Sequence, residues 1–181
     1  EIIETEPENE PAVEALERLI EHEEFRREVA EILEPIYRTL GAWEKLVGVF
    51  EIMIAEEETA ARKVDLLHEI AQLQETAGDE PEKAFRTLGR ALAEDPSEGR
   101  PQEELERLAR VLVLYDDLVA LYSGQVESID NMELAASYHL RIARLCEEQL
   151  QDVDKAINHY REVLNIDPMH IEAATALEGA Y

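Results

Sequence analysis

The residues of this 181-residue chain whose types suit chemistry are five histidines, one cysteine and 43 acidic residues. A helical di-iron site needs two Glu-x-x-His runs, and no histidine here has a glutamate three positions earlier. The histidines are His22, His68, His139, His159 and His170. Asp65 precedes His68 by three residues and Asp167 precedes His170, but Asp167 is better explained as a helix cap. We therefore predict no metal site.

The remaining reactive groups form no recognisable catalytic motif. Cys146 falls on an apolar stripe with Ile142, so we expect it in the core. Runs of acids such as EEE at 56–58 are expected on solvated faces, whereas acid/base catalysis needs a positioned, buried pair. No glycine-rich phosphate loop occurs, and isolated glycines such as Gly48 and Gly124 predict close helix packing. The sequence predicts neither enzymatic activity nor a bound cofactor.

The charge balance limits the classes of partner. Seventeen Lys plus Arg against 43 Asp plus Glu give a net charge of −26. This excess argues against nucleic acid and against anionic membrane surfaces, both of which need a basic footprint. It predicts a soluble, self-repelling surface or attraction to a basic partner. No apolar run reaches the roughly 18 residues that a membrane span needs, and no signal peptide is visible. A cytoplasmic location is slightly favoured.

Arginine is scarce and therefore more informative than the acids. Arg100, Arg107 and Arg110 recur at spacings of seven and three, which puts them on roughly one face of a helix. Such arginines can fork onto carboxylates of a partner. The alternative is that they pair with neighbouring Glu103 and Glu106 on a solvated helix face, as Arg144 would with Glu147.

The elements that would carry these residues repeat with a period of 72. Residues 43–96 align without a gap with residues 115–168, with 11 identities over 54 positions, and a partial copy lies upstream. Apolar residues at helical spacing predict ten helices and no strand. The predicted ranges are 10–22, 24–40, 42–56, 59–77, 80–94, 101–112, 115–128, 131–150, 153–166 and 169–181.

Prolines and acids punctuate these helices. Asp95-Pro96 and Asp167-Pro168 each predict a capping carboxylate followed by a proline in the first helical turn. Pro35 is expected either to kink the second helix or to occupy an irregular early turn. Residues 1–9 are expected to form a helix stub and a turn.

Two segments resemble the tetratricopeptide repeat (TPR) family, namely DEPEKAFRTLGRALAEDP at 79–96 and DVDKAINHYREVLNIDP at 152–168. Ala84 and Ala156 match the small residue of the second helix in that repeat, and Tyr160 its large mid-helix position. Pro96 and Pro168 match its closing proline. The sequence departs from the family at Leu67, where a Trp is usual, and at Glu34, where a small residue is usual.

The resemblance implies an all-α fold, an α-α superhelix in which antiparallel helix pairs stack into a right-handed solenoid. It covers residues 1–181, which we expect to be one domain of about four pairs plus partial flanking helices, cut from a longer bacterial-type array. The first helix of each pair would line a concave groove. The groove residues implied in this way are His68, Gln72, Arg100, Arg107, Arg110, Leu140 and Arg144.

The function implied is a non-enzymatic scaffold that binds a protein, as a peptide or helix, in the groove. The alternative is a structural spacer without a groove ligand. The Lys/Asn set with which some repeats of this family clamp a terminal carboxylate is missing here, so that activity is not carried over. The oligomeric state is not predicted.

Overall fold

The computed structural model describes residues 10–179, in which ten α-helices and no strand occur. The predicted stub over residues 1–9 and the last two residues of the predicted helix 169–181 lie outside this range. The helices are α1 (Glu10–Leu19), α2 (Arg26–Leu40), α3 (Trp43–Glu56), α4 (Ala60–Thr76), α5 (Pro81–Glu94), α6 (Gly99–Leu112), α7 (Tyr115–Val126), α8 (Met132–Leu145), α9 (Val153–Ile166) and α10 (Ile171–Gly179).

The helix boundaries reproduce the repeat seen in the sequence. The first residues of α3 and α7, of α4 and α8, and of α5 and α9 differ by 72 positions in each case. The ends of α5 and α9 also differ by 72. The prediction of an all-α chain built from repeating helix pairs is therefore confirmed. No described helix combines the length and the apolar character that crossing a membrane would require.

The chain divides into two compact units, which meet in the sequence between Asp95 and Pro96. In the first unit, contacts at both ends show that α4 and α5 are antiparallel. Lys63 near the start of α4 pairs with Glu94 at the end of α5 at 3.4 Å. Near the other end, the Thr87 hydroxyl donates to Gln74 Oε1 at 2.8 Å. A single domain over residues 1–181 remains a prediction.

Small residues of the paired helices are buried. Ala84, Ala91 and Ala143 have no exposed surface, and Ala156 is 2% exposed. Large apolar residues fill the space around them, because protein interiors pack at near-crystalline density. In the first unit this core includes Leu33, Tyr37, Leu46, Phe50, Leu67 and Ile70.

The caps at the two Asp-Pro steps are not those predicted. α6 begins at Gly99, where the Glu98 carboxylate accepts from Arg100 N at 3.3 Å. α10 begins at Ile171. There His170 Nδ1 accepts from Ala173 N at 3.3 Å. A residue before proline is held in the extended region, so the chain must turn before it can enter a helix.

Irregular turns occur at two helix ends. A 3-10 turn over Glu23–Phe25 precedes α2, and Pro35 lies well inside this helix, so its predicted place in an early turn is wrong. A π-helical turn over Cys146–Leu150 extends α8. Gln151 caps its C-terminal end in the left-handed conformation. Cys146 is buried as predicted, and burial raises the pKa of its thiol.

Two helical glycines differ from the prediction. A Cβ built on Gly48 or on Gly124 would meet nothing within 4 Å, so neither serves close packing. Both are exposed, and each leaves room on the outer side of its helix.

Candidate functional site

Helices α6, α7 and α8 of the second unit, with the π-helical turn, surround a cavity of about 190 Å³. Its lining is Glu106, Arg110, Tyr115, Leu118, Arg141, Arg144, Leu145, Glu148 and Gln149. The lining holds three arginines and two glutamates, and Glu172 on α10 pairs with one of these arginines. Positive and negative charges therefore balance at the cavity, whereas the whole chain carries −26.

The charge of Arg141 is compensated by a glutamate on a neighbouring helix. Arg141 Nη1 on α8 donates to Glu106 Oε1 on α6. The same oxygen accepts from the Tyr122 hydroxyl at 3.1 Å. Burial raises the pKa of Tyr122 far above its ordinary value, so its hydroxyl remains a donor. Arg141 is therefore held in place as part of the scaffold of the cavity.

A buried polar group positions α8 relative to the start of α6. The Tyr138 hydroxyl donates to the Pro96 carbonyl oxygen at 2.7 Å, and Gln102 Nε2 donates to the same oxygen at 2.8 Å. Gln102 is 6% exposed, and an unpaired amide there would be costly. The Tyr138 ring also packs edge-on against Tyr122, with 5.3 Å between ring centroids. These contacts join α8 to α7 and to the start of α6.

The charge of Arg144 is compensated by the last helix. Arg144 Nε and Nη2 contact Glu172 Oε1 and Oε2, each at 2.5 Å, in a bidentate pair between α8 and α10. This pairing raises the pKa of Arg144 and holds the pKa of Glu172 below its ordinary value. A ligand that contacts Arg144 must share it with Glu172.

Arg110 is the cation of the cavity that lacks such compensation. It lies in the last turn of α6 and is exposed. With the residues of the described range 10–179 it forms no ion pair and no side-chain hydrogen bond. Next to it, Tyr115 and Leu118 supply an aromatic and an apolar wall. A planar guanidinium in this setting is suited to bind a carboxylate.

The other predicted groove residues of the second unit lie outside the cavity lining. Arg100 pairs with Glu98 at 3.5 Å, and Arg107 pairs with Glu104 at 2.7 Å. Leu140 is half-buried on α8. Arg107 is therefore paired within α6, and Arg100 is paired with the residue that precedes α6.

In the first unit, His68 is half-buried and Gln72 is exposed, both on α4. Arg38 on α2 pairs with Glu69 at 2.6 Å and with Glu34 at 2.7 Å. The seven predicted groove residues are thus divided between the two units. Of the seven, Arg110 and Arg144 share the cavity.

Sequence reasoning missed Arg141 and Tyr115, and it assigned other partners to the glutamates. Arg141 lies three residues before Arg144, which puts both on neighbouring positions of one helix face, and this spacing was the available signal. Glu147, expected to pair with Arg144, accepts a hydrogen bond from the Tyr160 hydroxyl at 2.6 Å.

A pair of histidines lies elsewhere in the second unit. His139 Nδ1 on α8 and His159 Nδ1 on α9 are 2.9 Å apart, and the ring centroids are 5.2 Å apart. Within residues 10–179, no three His, Cys, Asp or Glu side chains converge on a point where a metal ion could bind.

No family model and no curated protein sequence matches the chain. Among solved structures, a crystal structure of MamA is similar with 15% identity and a TM-score of 0.45, covering 82% of each chain. A second crystal structure of MamA protein is similar with 15% identity and a TM-score of 0.44, covering 87% of this chain and 81% of the other. No functional conclusion follows from likeness at this level.

Proposed function

We propose that this chain is a non-enzymatic protein-interaction module, and that a carboxylate of a peptide or helix binds Arg110 in the cavity of the second unit. The observation that carries this proposal is the uncompensated guanidinium of Arg110 in a cavity whose other two arginines are neutralised by Glu106 and Glu172. A bound carboxylate would complete the pattern of ion pairs. The proposal includes further contact positions. In the second unit these are Arg100, Arg107 and Leu140, and in the first unit they are His68 and Gln72.

The size of the expected contribution is set by the kind of contact. A charge-assisted hydrogen bond contributes about 1.5–3 kcal/mol, and arginine binds a carboxylate with two donors in one plane. Because Arg110 is exposed, solvent screens this pairing, and the lower end of that range applies. One such contact therefore changes the dissociation constant by about tenfold or more.

The net charge of −26 determines the rest of the partner. A strongly acidic partner would be repelled at a distance, even if one of its carboxylates fitted Arg110. We therefore expect a partner that is neutral or basic overall and that presents a single carboxylate to the cavity. Its association should weaken with added salt, because exposed charges are screened.

The second candidate is a structural spacer, and one observation favours it. Arg100, Arg107 and Arg144 each have a glutamate partner within the second unit. Arginines that are engaged in this way need no ligand, and they would stiffen the helix pairs of a longer array.

The test is a charge reversal at Arg110 in the intact chain. A partner is captured with the wild-type protein, identified by mass spectrometry, purified, and then titrated against Arg110→Glu. Arg86 on α5 is the matched control, because it is exposed and forms no ion pair with a described residue. The proposal requires at least about tenfold weaker binding by Arg110→Glu and unchanged binding by Arg86→Glu.

Equal binding by the two variants would refute the role of Arg110. Failure of the wild-type chain to capture any partner would favour the spacer. Circular dichroism of each variant separates lost binding from lost folding.

A further inference from the structure

The two imidazoles of His139 and His159 meet between α8 and α9. Their Nδ1 atoms are 2.9 Å apart. Both residues are half-buried, and both lie in the middle of regular helices, so their backbones are fixed. The two Nδ1 atoms therefore face one another without a change of fold.

The surroundings of the pair favour neutral imidazoles. Burial lowers the pKa of both rings, and for His159 the proximity of His139 and of Lys155 lowers it further, whereas Glu162 opposes the shift at both. Burial thus favours the uncharged form of each ring. Neutral imidazole is the form that coordinates a transition metal.

The spacing of the two nitrogens has a geometric consequence. Imidazole nitrogens bind first-row metals at about 2.0–2.1 Å, so two of them at a tetrahedral angle lie about 3.3–3.4 Å apart. Two nitrogens at the right angle of a square-planar or tetragonal site lie about 2.8–3.0 Å apart. The observed separation of 2.9 Å agrees with the tetragonal case.

We propose that His139 and His159 form a two-nitrogen site for a divalent metal that favours tetragonal coordination, Cu²⁺ or Ni²⁺, with water completing the coordination. In the metal-free protein one ring carries its proton on Nδ1 and donates it to the other ring. On binding, that proton moves through solvent to Nε2, so both Nδ1 atoms present lone pairs to the metal. No net proton is released, and no bond other than the hydrogen bond is lost.

A plain N–H···N hydrogen bond that ties α8 to α9 needs the same starting geometry. The two explanations differ in what added metal does. A purely structural pair has no reason to prefer a tetragonal metal, and its loss would leave the affinity for metal unchanged.

The probe is Cu²⁺ added to the full chain at neutral pH, with acetate present to compete with isolated surface carboxylates without adding a nitrogen donor. Electron paramagnetic resonance reads how many nitrogens lie in the equatorial plane, and thermal denaturation reads whether the metal binds the folded state. The variants are His139→Gln and His159→Gln, since glutamine keeps a hydrogen-bonding amide. His68→Gln is the matched control, since His68 is also half-buried but lies in the first unit.

We expect one Cu²⁺ per chain with two nitrogens of this pair, a higher Tm with metal, and loss of both effects in each variant of the pair. The control variant should behave as the wild type. Weaker binding of Zn²⁺ than of Cu²⁺ is expected as well. Cu²⁺ binding that persists in His139→Gln and His159→Gln, or its absence from the wild-type chain, would overturn the proposal. If either glutamine variant unfolds, the wild-type spectrum decides by itself, since fewer than two coupled nitrogens in it contradict the site.

Discussion

The indole of Trp43 lies directly against Gly78. A Cβ built on this glycine would be 2.8 Å from Trp43 Cη2 and 2.9 Å from the Gln74 carbonyl oxygen. Real Cβ atoms essentially never approach other atoms so closely. The start of α3 can therefore pack against the turn between α4 and α5 because Gly78 has no side chain.

Gly78→Ala should therefore destabilise the fold by about 1–3 kcal/mol, because either the indole or the backbone must shift. Urea denaturation followed by circular dichroism measures this. Gly48→Ala is the matched control, since a methyl group there meets nothing within 4 Å. In the middle of α3 it should stabilise by about 0.5–1 kcal/mol, because alanine loses less backbone entropy than glycine. Equal effects of the two substitutions would show that Trp43 does not constrain Gly78.

Ala84 on α5 has no exposed surface, so a larger side chain there finds no open space. Ala84→Leu should overpack this position and cost about 1–3 kcal/mol in the free energy of unfolding. Ala93 on the same helix is exposed, so Ala93→Leu should leave stability nearly unchanged. A urea midpoint for Ala84→Leu that matches the wild type would contradict the close approach of α4 and α5.

Val113 adopts a left-handed conformation, with φ of 59° and ψ of 41°, and its side chain is 73% exposed. This conformation costs an L-residue about 1–2 kcal/mol, and a β-branched side chain gains nothing there from burial. Val113→Gly should raise the thermal unfolding midpoint. Val111 is 68% exposed but helical, so Val111→Gly should lower it. Shifts of the same sign would show that the backbone at Val113 is not strained.

The histidine pair predicts a dependence of stability on pH. Both pKa values lie below about 6.5, the value expected in the unfolded chain, so the unfolded state takes up protons first. The contribution of the two histidines to the free energy of unfolding is complete above about pH 6.5. It falls as the pH drops toward their lowered pKa values in the folded state. Chemical denaturation between pH 7.5 and pH 5 should therefore show a steeper loss for the wild type than for the double variant His139→Gln/His159→Gln. The difference between the two curves isolates the pair, since all carboxylates are common to both. Parallel curves would mean that burial of these rings does not disfavour their charge.

Much of the fold was predictable because its signals are local. Helical spacing of apolar residues and the 72-residue period gave the number of helices, and several helix starts agree to the residue. Ala84 and Ala156 were identifiable because a small residue at a repeated position signals a close helix contact. The Asp-Pro caps failed because two conformational preferences compete at the same step. A proline suits the first turn of a helix, but the residue before it is held extended, and only the complete turn decides between them.

The sequence by itself determined an acidic chain of repeating helix pairs, since composition and periodicity do not depend on distant contacts. Only the tertiary structure decided which arginine remains available. Arg144 pairs with Glu172, 28 residues away, and Arg141 pairs with Glu106, 35 residues away. The spacing of neighbours on one helix cannot predict pairs at such separations. Arg110 has no ion-pair partner among the described residues, although Glu148 also lines the cavity. Ion pairs form between side chains that folding brings together, and this choice is made among 43 acids that are chemically alike in the sequence.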